Sequence, residues 1–397
     1  MEKRHWYAIL IVFLVLGILL KAPVLIAFTT LLLILIGLAD WWQRHSLDGV
    51  IYHRKPNYRR SFPGEEVALS LEIQNRKLLP VSWLRVQDPW PKSIGPINEG
   101  NLAPTHIPDQ GLLTNIFSLR WYERTRRDYT LVFRKRGIYA VGPARLESGD
   151  LFGLFDSSKE EGPVELLTVF PDLLDFSQLQ LPADDPFGDR RSRRRLFEDP
   201  NQPIGVRNYH PEDSFRRVHW PMTAHTGELQ VKVYQPSSAY VMVVCLNVST
   251  FSRHWEGTNP GLLEHLIKVT ATLVNQGIQD GYRVGLIANG CLAHADQPFR
   301  IPPGRSPRQL ATLLEALAGV TPVVTSPFET FLIKEIPRVP LGATLLIVTG
   351  IMKPELGEAL YELKNHGRRI TLLCFSEQPP EPVQGVRIYH LPFHEQV

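Results

Sequence analysis

The sequence predicts a multidomain chain. It begins with a transmembrane helical hairpin (residues 1–45) and continues with a β-sandwich-like domain (50–175). A linker carrying a signature motif (176–238) leads into an α/β doubly wound domain (239–397). Three observations lead there. Two apolar runs lie near the start, separated by a helix breaker. A stretch of period-two alternation punctuated by Pro and Gly follows. The last part alternates continuous apolar strands with helical periodicity.

The bulk properties bound the answer. A chain of 397 residues with 44% hydrophobic and 21% charged residues is globular and long enough for two or three domains. Lys plus Arg number 43 against 40 Asp plus Glu, a net charge of only +3. That balance gives no support for a nucleic-acid partner. Three widely spaced cysteines (Cys245, Cys291, Cys374) exclude a disulfide scaffold and a multi-cysteine zinc site, and fit a reducing compartment.

The anchor comes first. No charge occurs from Trp6 to Leu20; Lys21, Ala22 and Pro23 interrupt, and the apolar run resumes from Val24 to Ala39. The stretch is about twice the length one span needs, about 20 residues. Trp6 and Tyr7 would mark one interface, with Trp41 and Trp42 returning to it. A cleaved signal peptide is the alternative, but no small-residue cleavage site follows Leu20. Lys3 and Arg4 precede the first run, Arg44, Arg54, Lys55, Arg59 and Arg60 follow the second, and only Lys21 lies in the turn. The positive-inside bias therefore predicts both ends in the cytoplasm, with the soluble body tethered to the inner (plasma) membrane through two spans.

In the second region Val67 to Ile73 alternates as a half-buried strand does. Val81–Val86, Thr130–Phe133 and Ile138–Val141 are further strand candidates, and no catalytic constellation falls among them. In the linker, Arg190, Arg191, Arg193, Arg194 and Arg195 are balanced by Asp184, Asp185, Asp189, Glu198 and Asp199. A solvated, locally neutral loop is the simplest reading of that run; contact with anionic headgroups or with a partner's acidic patch are the alternatives.

In the third region Tyr240–Leu246, Val284–Ala288, Thr344–Val348 and Ile370–Phe375 read as buried parallel strands. Helices are expected from Leu262 to Leu273, from Pro307 to Leu317 with Ser306 as N-cap, and from Glu355 to Lys364 closed by Gly367. In such sheets the ligand or partner site lies beyond the carboxyl ends of the strands. That points to Asn247, Ser249, Thr321 and Gly350 as a partner-binding edge.

Between linker and sheet lies the most distinctive stretch. Arg207, Tyr209, Pro211, Asp213, Arg216, Arg217, His219 and Trp220 fall within fourteen positions, and Lys232 follows. Pro211 suits a helix start, and Asp213 would then face Arg217 or Arg216 one turn on. An ion-pair and aromatic clamp is the simplest role. Binding by Arg207, Arg216 or His219, or acid–base chemistry by His219 with Asp213 or Glu212, are the alternatives.

The run Arg207-x-Tyr209-x-Pro211-x-Asp213-x-x-Arg216-Arg217-x-His219-Trp220 resembles the signature of the domain of unknown function 58 family. Arg136-Gly137-x-Tyr139-x-x-Gly142-Pro143 and the segment from Asp150 to Phe155 resemble that family's lead-in. The resemblance implies a von Willebrand factor type A-like C-terminal domain and a MoxR-type AAA+ ATPase as partner. Type A domains often bind Mg²⁺ through Asp-x-Ser-x-Ser, a Thr and a later Asp. Here those slots read Asn247, Ser249 and Phe251, then Thr321 or Thr325, then Thr349-Gly350. A hard cation wants anionic oxygens, so no metal and no cofactor are expected. A Walker A loop, a Gly-x-Ser-x-Gly elbow and a His-Glu-x-x-His helix are all absent from the sequence. The expected function is a membrane-anchored interaction scaffold with no enzymatic activity. A cryptic hydrolase built on His219 and a divalent-metal-dependent adhesion module are the alternatives.

Overall fold

The computed structural model describes residues 3–149, 156–179, 197–211, 213–237, 241–253, 256–293, 295 and 297–394. The Arg190–Arg195 run, the motif from Asp150 to Phe155 and Glu212 lie outside the described residues, as does the side chain of Arg216. The chain divides into two compact units, residues 1–170 and 171–397.

The first unit opens with α1 (Lys3–Leu19) and α2 (Pro23–Ser46). Lys21, at φ 51°, makes the reversal, and Pro23 opens α2 where no N–H is needed. The two helices meet at Gly17, where an added Cβ would lie 3.2 Å from Ile26. Among the described residues α2 is the one helix long and apolar enough to cross a membrane. The apolar part of α1, Trp6–Leu19, rises about 20 Å and so falls short of a hydrocarbon core of about 30 Å. Beyond Ala39, α2 turns amphipathic. Asp40, Gln43 and Ser46, three apart, are buried, and the Gln43 amide donates to the Asp156 carbonyl.

Eleven strands follow: β1 (Val50–Pro56), β2 (Arg60–Ser61), β3 (Glu66–Asn75), β4 (Val81–Pro91), β5 (Leu102–Pro104), β6 (Gln110–Leu119), β7 (Arg124–Val132), β8 (Gly137–Val141), β9 (Ala144–Gly149), β10 (Asp156–Glu161) and β11 (Glu165–Val169). They form sheets ordered β1-β3-β7, β10-β9-β4-β6-β5 and β2-β11-β8. Val67, Leu69, Leu71 and Ile73 on β3 join Leu84, Val86 and Trp90 on β4 in one core. The period-two pattern thus turns one face of each large sheet inward, and each buried aliphatic side chain contributes about 1.5–3 kcal/mol.

In the second unit β12 (Phe197–Asn208) and β13 (Gln230–Ser237) form an antiparallel ribbon where the sequence reading placed a linker. Between them lies α3 (Trp220–Thr226). The main sheet comprises β14 (Val241–Leu246), β15 (Arg283–Leu292), β16 (Pro298–Gly304), β17 (Val320–Val324), β18 (Thr344–Thr349), β19 (Arg369–Cys374) and β20 (Arg387–His390). Its order is β16-β15-β14-β18-β19-β20, with β17 also on β15. The run β15-β14-β18-β19-β20 is parallel, and β16 and β17 are antiparallel.

The helices are α4 (Pro260–Gln279), α5 (Gln309–Ala318), α6 (Phe328–Glu335) and α7 (Pro354–Asn365). Val243, Cys245, Leu345 and Ile347 pack with Phe331, Leu332 and Leu360 of α6 and α7. Met242 points the other way, toward Gly277 of α4. Both faces are covered, which is why these strands read as unbroken apolar runs. One expectation needs correcting: α5 begins two residues later than Pro307. Ser306 bonds the Arg308 and Gln309 N–H groups ahead of the helix and does not cap it.

Candidate functional site at the carboxyl edge of the sheet

Strand order reverses between β14 and β18, so a crevice is expected beyond their carboxyl ends. The residues there close it. Asn247 follows β14, and its Nδ2 donates to Thr349 Oγ1 at 3.0 Å, across to the end of β18. Asn247 Oδ1 accepts from the Ser249 N–H (3.0 Å) and from Asn289 Nδ2 (3.2 Å). Asn289 Oδ1 in turn accepts from the Val248 N–H at 2.9 Å. Thr349 Oγ1 donates to the Ile351 carbonyl at 2.7 Å. Asn247, Asn289 and Thr349 are buried. The switch point is therefore bridged by neutral amides and hydroxyls whose polar atoms hold one another.

The chain beyond Asn247 is pinned to α4. Thr250 Oγ1 accepts the Asn259 N–H at 2.8 Å, and Asn259 caps α4 through the Leu262 N–H at 2.9 Å. Outside the bridge is a cavity of about 230 Å³, lined by Asn247, Ser249, Phe251, Thr325, Glu329 and Lys353 among others. Glu329 is the only carboxylate among its described lining residues.

Of the residues expected at this edge, Asn247 and Ser249 line the cavity. Thr321 and Gly350 do not. Thr321 Oγ1 donates to the Cys291 carbonyl at 3.0 Å, holding β17 to β15. Gly350 is a packing position, where a Cβ would lie 2.8 Å from Leu262 Cδ2. Asn289, Glu329 and Lys353 escaped the sequence reading. An amide set in the otherwise apolar β15 was the available signal for Asn289.

A divalent cation does not fit this donor set. The Asn247 and Asn289 oxygens point at N–H donors, and a hard cation would have to displace those bonds for neutral ligands. Cys245 is buried in the strand beneath, and burial pushes its thiol well above the usual range.

The signature motif forms a separate feature at the end of the β12–β13 ribbon. Arg207 on β12 grips Asp213 with two hydrogen bonds, at 2.7 and 2.6 Å. The His210 N–H also donates to Asp213 at 2.9 Å. Pro211 therefore stands in a turn and does not start the expected helix, because the Asp213 carboxylate bonds back to the His210 N–H and to a strand residue six positions upstream. Arg217 lies in the 3-10 turn Phe215–Arg217. Tyr209 rests against Phe215 with ring centroids 5.3 Å apart. His219 is the N-cap of α3, its Nδ1 accepting the Met222 N–H at 3.1 Å. Trp220 is 62% exposed. Lys232 pairs in register with Val206 across the ribbon. The structure thus commits Asp213 to Arg207 and His219 Nδ1 to capping.

Arg207 and the His210 N–H hold the Asp213 carboxyl at about 2, below its ordinary 3.8. A depressed carboxyl stabilises the native turn above the ordinary value, and that contribution is lost as pH falls through about 2. Arg207→Ala is expected to return the carboxyl most of the way to 3.8, read from the Asp213 carboxyl carbon in an NMR pH titration. An unchanged value would show that the pair does not form.

Residues 205–374 match the family model described as Protein of unknown function DUF58. The matched segment opens within the ribbon strand β12 and closes on the last residue of β19, so it holds both the signature turn and the bridged edge. The chain is 20% identical over 333 residues to Uncharacterized protein YeaD of Bacillus subtilis (strain 168), covering 82% of this chain and 75% of that protein. Among solved structures it is similar to the sporulation control protein Spo0M of Bacillus subtilis, at 14% identity and TM-score 0.19. That match covers 30% of this chain, and the chain spans about half (49%) of Spo0M. A second is a type II cohesin domain from the cellulosome of Acetivibrio cellulolyticus, at 11% identity, 30% and 94% coverage and TM-score 0.19.

Proposed function

We propose that this chain is a membrane-anchored interaction scaffold, working with a MoxR-type AAA+ ATPase in the assembly or maturation of other proteins. In this reading the α1–α2 pair spans the inner membrane as a hairpin, and both units lie in the cytoplasm. The second unit is a von Willebrand factor type A-like domain, whose sheet order with an antiparallel strand at one edge suits that architecture. The partner is the one the family resemblance implies.

The observation that carries the reading is the closed bridge from Asn247 to Thr349. At the position where a doubly wound sheet usually holds its ligand, neutral side chains bridge the strand ends, and the cavity outside them holds one carboxylate among its described lining residues. What remains is a rim offering an exposed aromatic, Phe251, with Glu329 and Lys353 beside it. An aromatic anchor edged by charges is the composition of a protein-binding surface.

The test is capture of the MoxR-type ATPase by the full-length chain reconstituted in liposomes, with and without ATP. Wild type is expected to retain the ATPase. Phe251→Ala combined with Lys353→Glu is expected to bind about tenfold more weakly, the equivalent of about 1.4 kcal/mol. Failure of the wild-type chain to retain the ATPase in either condition overturns the proposal.

A further inference from the structure

Two neighbouring loops of the first unit, residues 76–80 and 120–123, expose large apolar side chains without apparent need. Leu78 is 73% exposed, Trp121 65% and Tyr122 62%. The loops are tied together by hydrogen bonds. Buried Asn75 donates both amide hydrogens, one to the Leu79 carbonyl and one to the Arg120 carbonyl, each at 2.9 Å. The Tyr122 N–H bonds the Lys77 carbonyl at 3.2 Å. Tyr122 sits at φ 53°, a left-handed conformation that a bulky side chain adopts only when its surroundings impose it. The fold therefore holds an aromatic residue outward against its conformational preference.

The place of these loops gives the exposure a meaning. The Lys77 ammonium donates to the His45 and Ser46 carbonyls at the end of α2, and the Arg76 N–H donates to the Gly49 carbonyl at 2.9 Å. β1 starts at Val50 opposite Asn75, and Gln74 lies opposite Arg124. Both loops therefore lie at the end of the sheet where the chain leaves α2. Ser46 is seven residues past Ala39, so this end stands about 10 Å along the helix axis from the end of the Val24–Ala39 apolar run. That is the outer edge of a headgroup layer, which extends about 5–8 Å on each side of the hydrocarbon. Trp and Tyr favour that layer, and Arg76 and Arg120, both exposed, flank the apolar tips. Glu123 lies among them, and its carboxylate accepts the Arg120 N–H at 2.6 Å.

We propose that loops 76–80 and 120–123 form a second membrane contact. Leu78, Trp121 and Tyr122 enter the interfacial layer of an anionic bilayer, and Arg76 and Arg120 meet its phosphates. The β domain then lies against the membrane and does not swing on α2. The inference rests on the reading that α2 spans the bilayer.

The experiment places an environment-sensitive fluorophore on Leu78→Cys or, separately, on Ile34→Cys within α2, in the full-length chain. The three native cysteines are buried, so the new thiol takes the label. The protein is reconstituted in phosphatidylcholine–phosphatidylglycerol vesicles, and quenching by brominated lipid tails is compared with quenching by aqueous iodide. The expected result is lipid quenching and iodide protection at both positions, with protection at position 78 lost in the Arg76→Glu, Arg120→Glu background. Iodide quenching at position 78 as strong as for free dye, with position 34 still lipid-quenched, overturns this inference and leaves the spanning reading standing. Iodide quenching at position 34 overturns both.

Discussion

Replacing Asp88 by alanine is expected to destabilise the first unit by about 3–5 kcal/mol. Asp88 points inward from β4 and is fully buried, and the Arg54 side chain facing it from β1 is 2% exposed. Arg54 donates from Nε to Asp88 Oδ2 and from Nη2 to Oδ1, both at 2.7 Å, and the Tyr52 hydroxyl donates to Oδ2 at 2.7 Å. Arg54 Nη1 reaches the Pro163 carbonyl at 3.2 Å. Burial pushes the Tyr52 phenol far up, so it stays a neutral donor. Burial alone would lower the Arg54 value, and Asp88 outweighs it. The carboxylate thus accepts three bonds in a fork, and the pair joins the β1-β3-β7 sheet to the sheet holding β4. Removing Asp88 strands a buried guanidinium with no room to move, since a Cβ on Gly142 would already lie 2.7 Å from it. Arg54→Met with Asp88→Leu removes both charges and is expected to cost much less than either single change. Denaturant unfolding of the full-length chain in detergent measures all three. A loss below about 1 kcal/mol for Asp88→Ala would place the pair with ordinary surface contacts.

The same pair shows where the sequence was legible and where it was not. Arg54 stands among five basic residues after the apolar runs and reads as a solvated positive charge. Its parity with Val50 and Tyr52 is the information that places it inside, and parity helps only when the inward face is known. Strands β14, β18 and β19 were readable within one residue at each end, because burial on both faces leaves an apolar run with little ambiguity. β16 and β17 were not, since an edge strand such as Pro298–Gly304 carries three prolines and little apolar pattern. α6, eight residues long, falls below the window in which helical periodicity accumulates. The β12–β13 ribbon hid behind the charge-balanced segment before it. At the candidate site, Asn247 and Ser249 follow from strand ends alone. Glu329 arrives from α6 and Lys353 from the residue before α7, far along the chain, and no local pattern announces that they share a cavity.

Asn247→Ala is expected to cost about 3 kcal/mol or more in the second unit, nearly as much as breaking the buried ion pair, although no charge is involved. The Asn247 side chain satisfies three groups at once: the Ser249 N–H, the Asn289 amide and the Thr349 hydroxyl. Each buried group left unbonded costs about 1–3 kcal/mol. The lost volume adds a cavity at a buried position. Asn247→Asp separates charge from shape. It keeps the volume and the bond to the Ser249 N–H, but sets an oxygen where Nδ2 donated to Thr349. Thr349 Oγ1 already donates its hydrogen to the Ile351 carbonyl, so it satisfies the new oxygen only by giving up that bond. The carboxylate is therefore expected to destabilise the unit, and more so as rising pH ionises it. Urea unfolding of the full-length chain at neutral and acidic pH, with and without Mg²⁺, reads both effects. Recovery of the Asp variant on adding Mg²⁺ would mean that a single carboxylate restores a cation site. Indifference to Mg²⁺ is the expected outcome, because Asn289 Nδ2 and the Ser249 N–H still present donors, and not ligands, to that position.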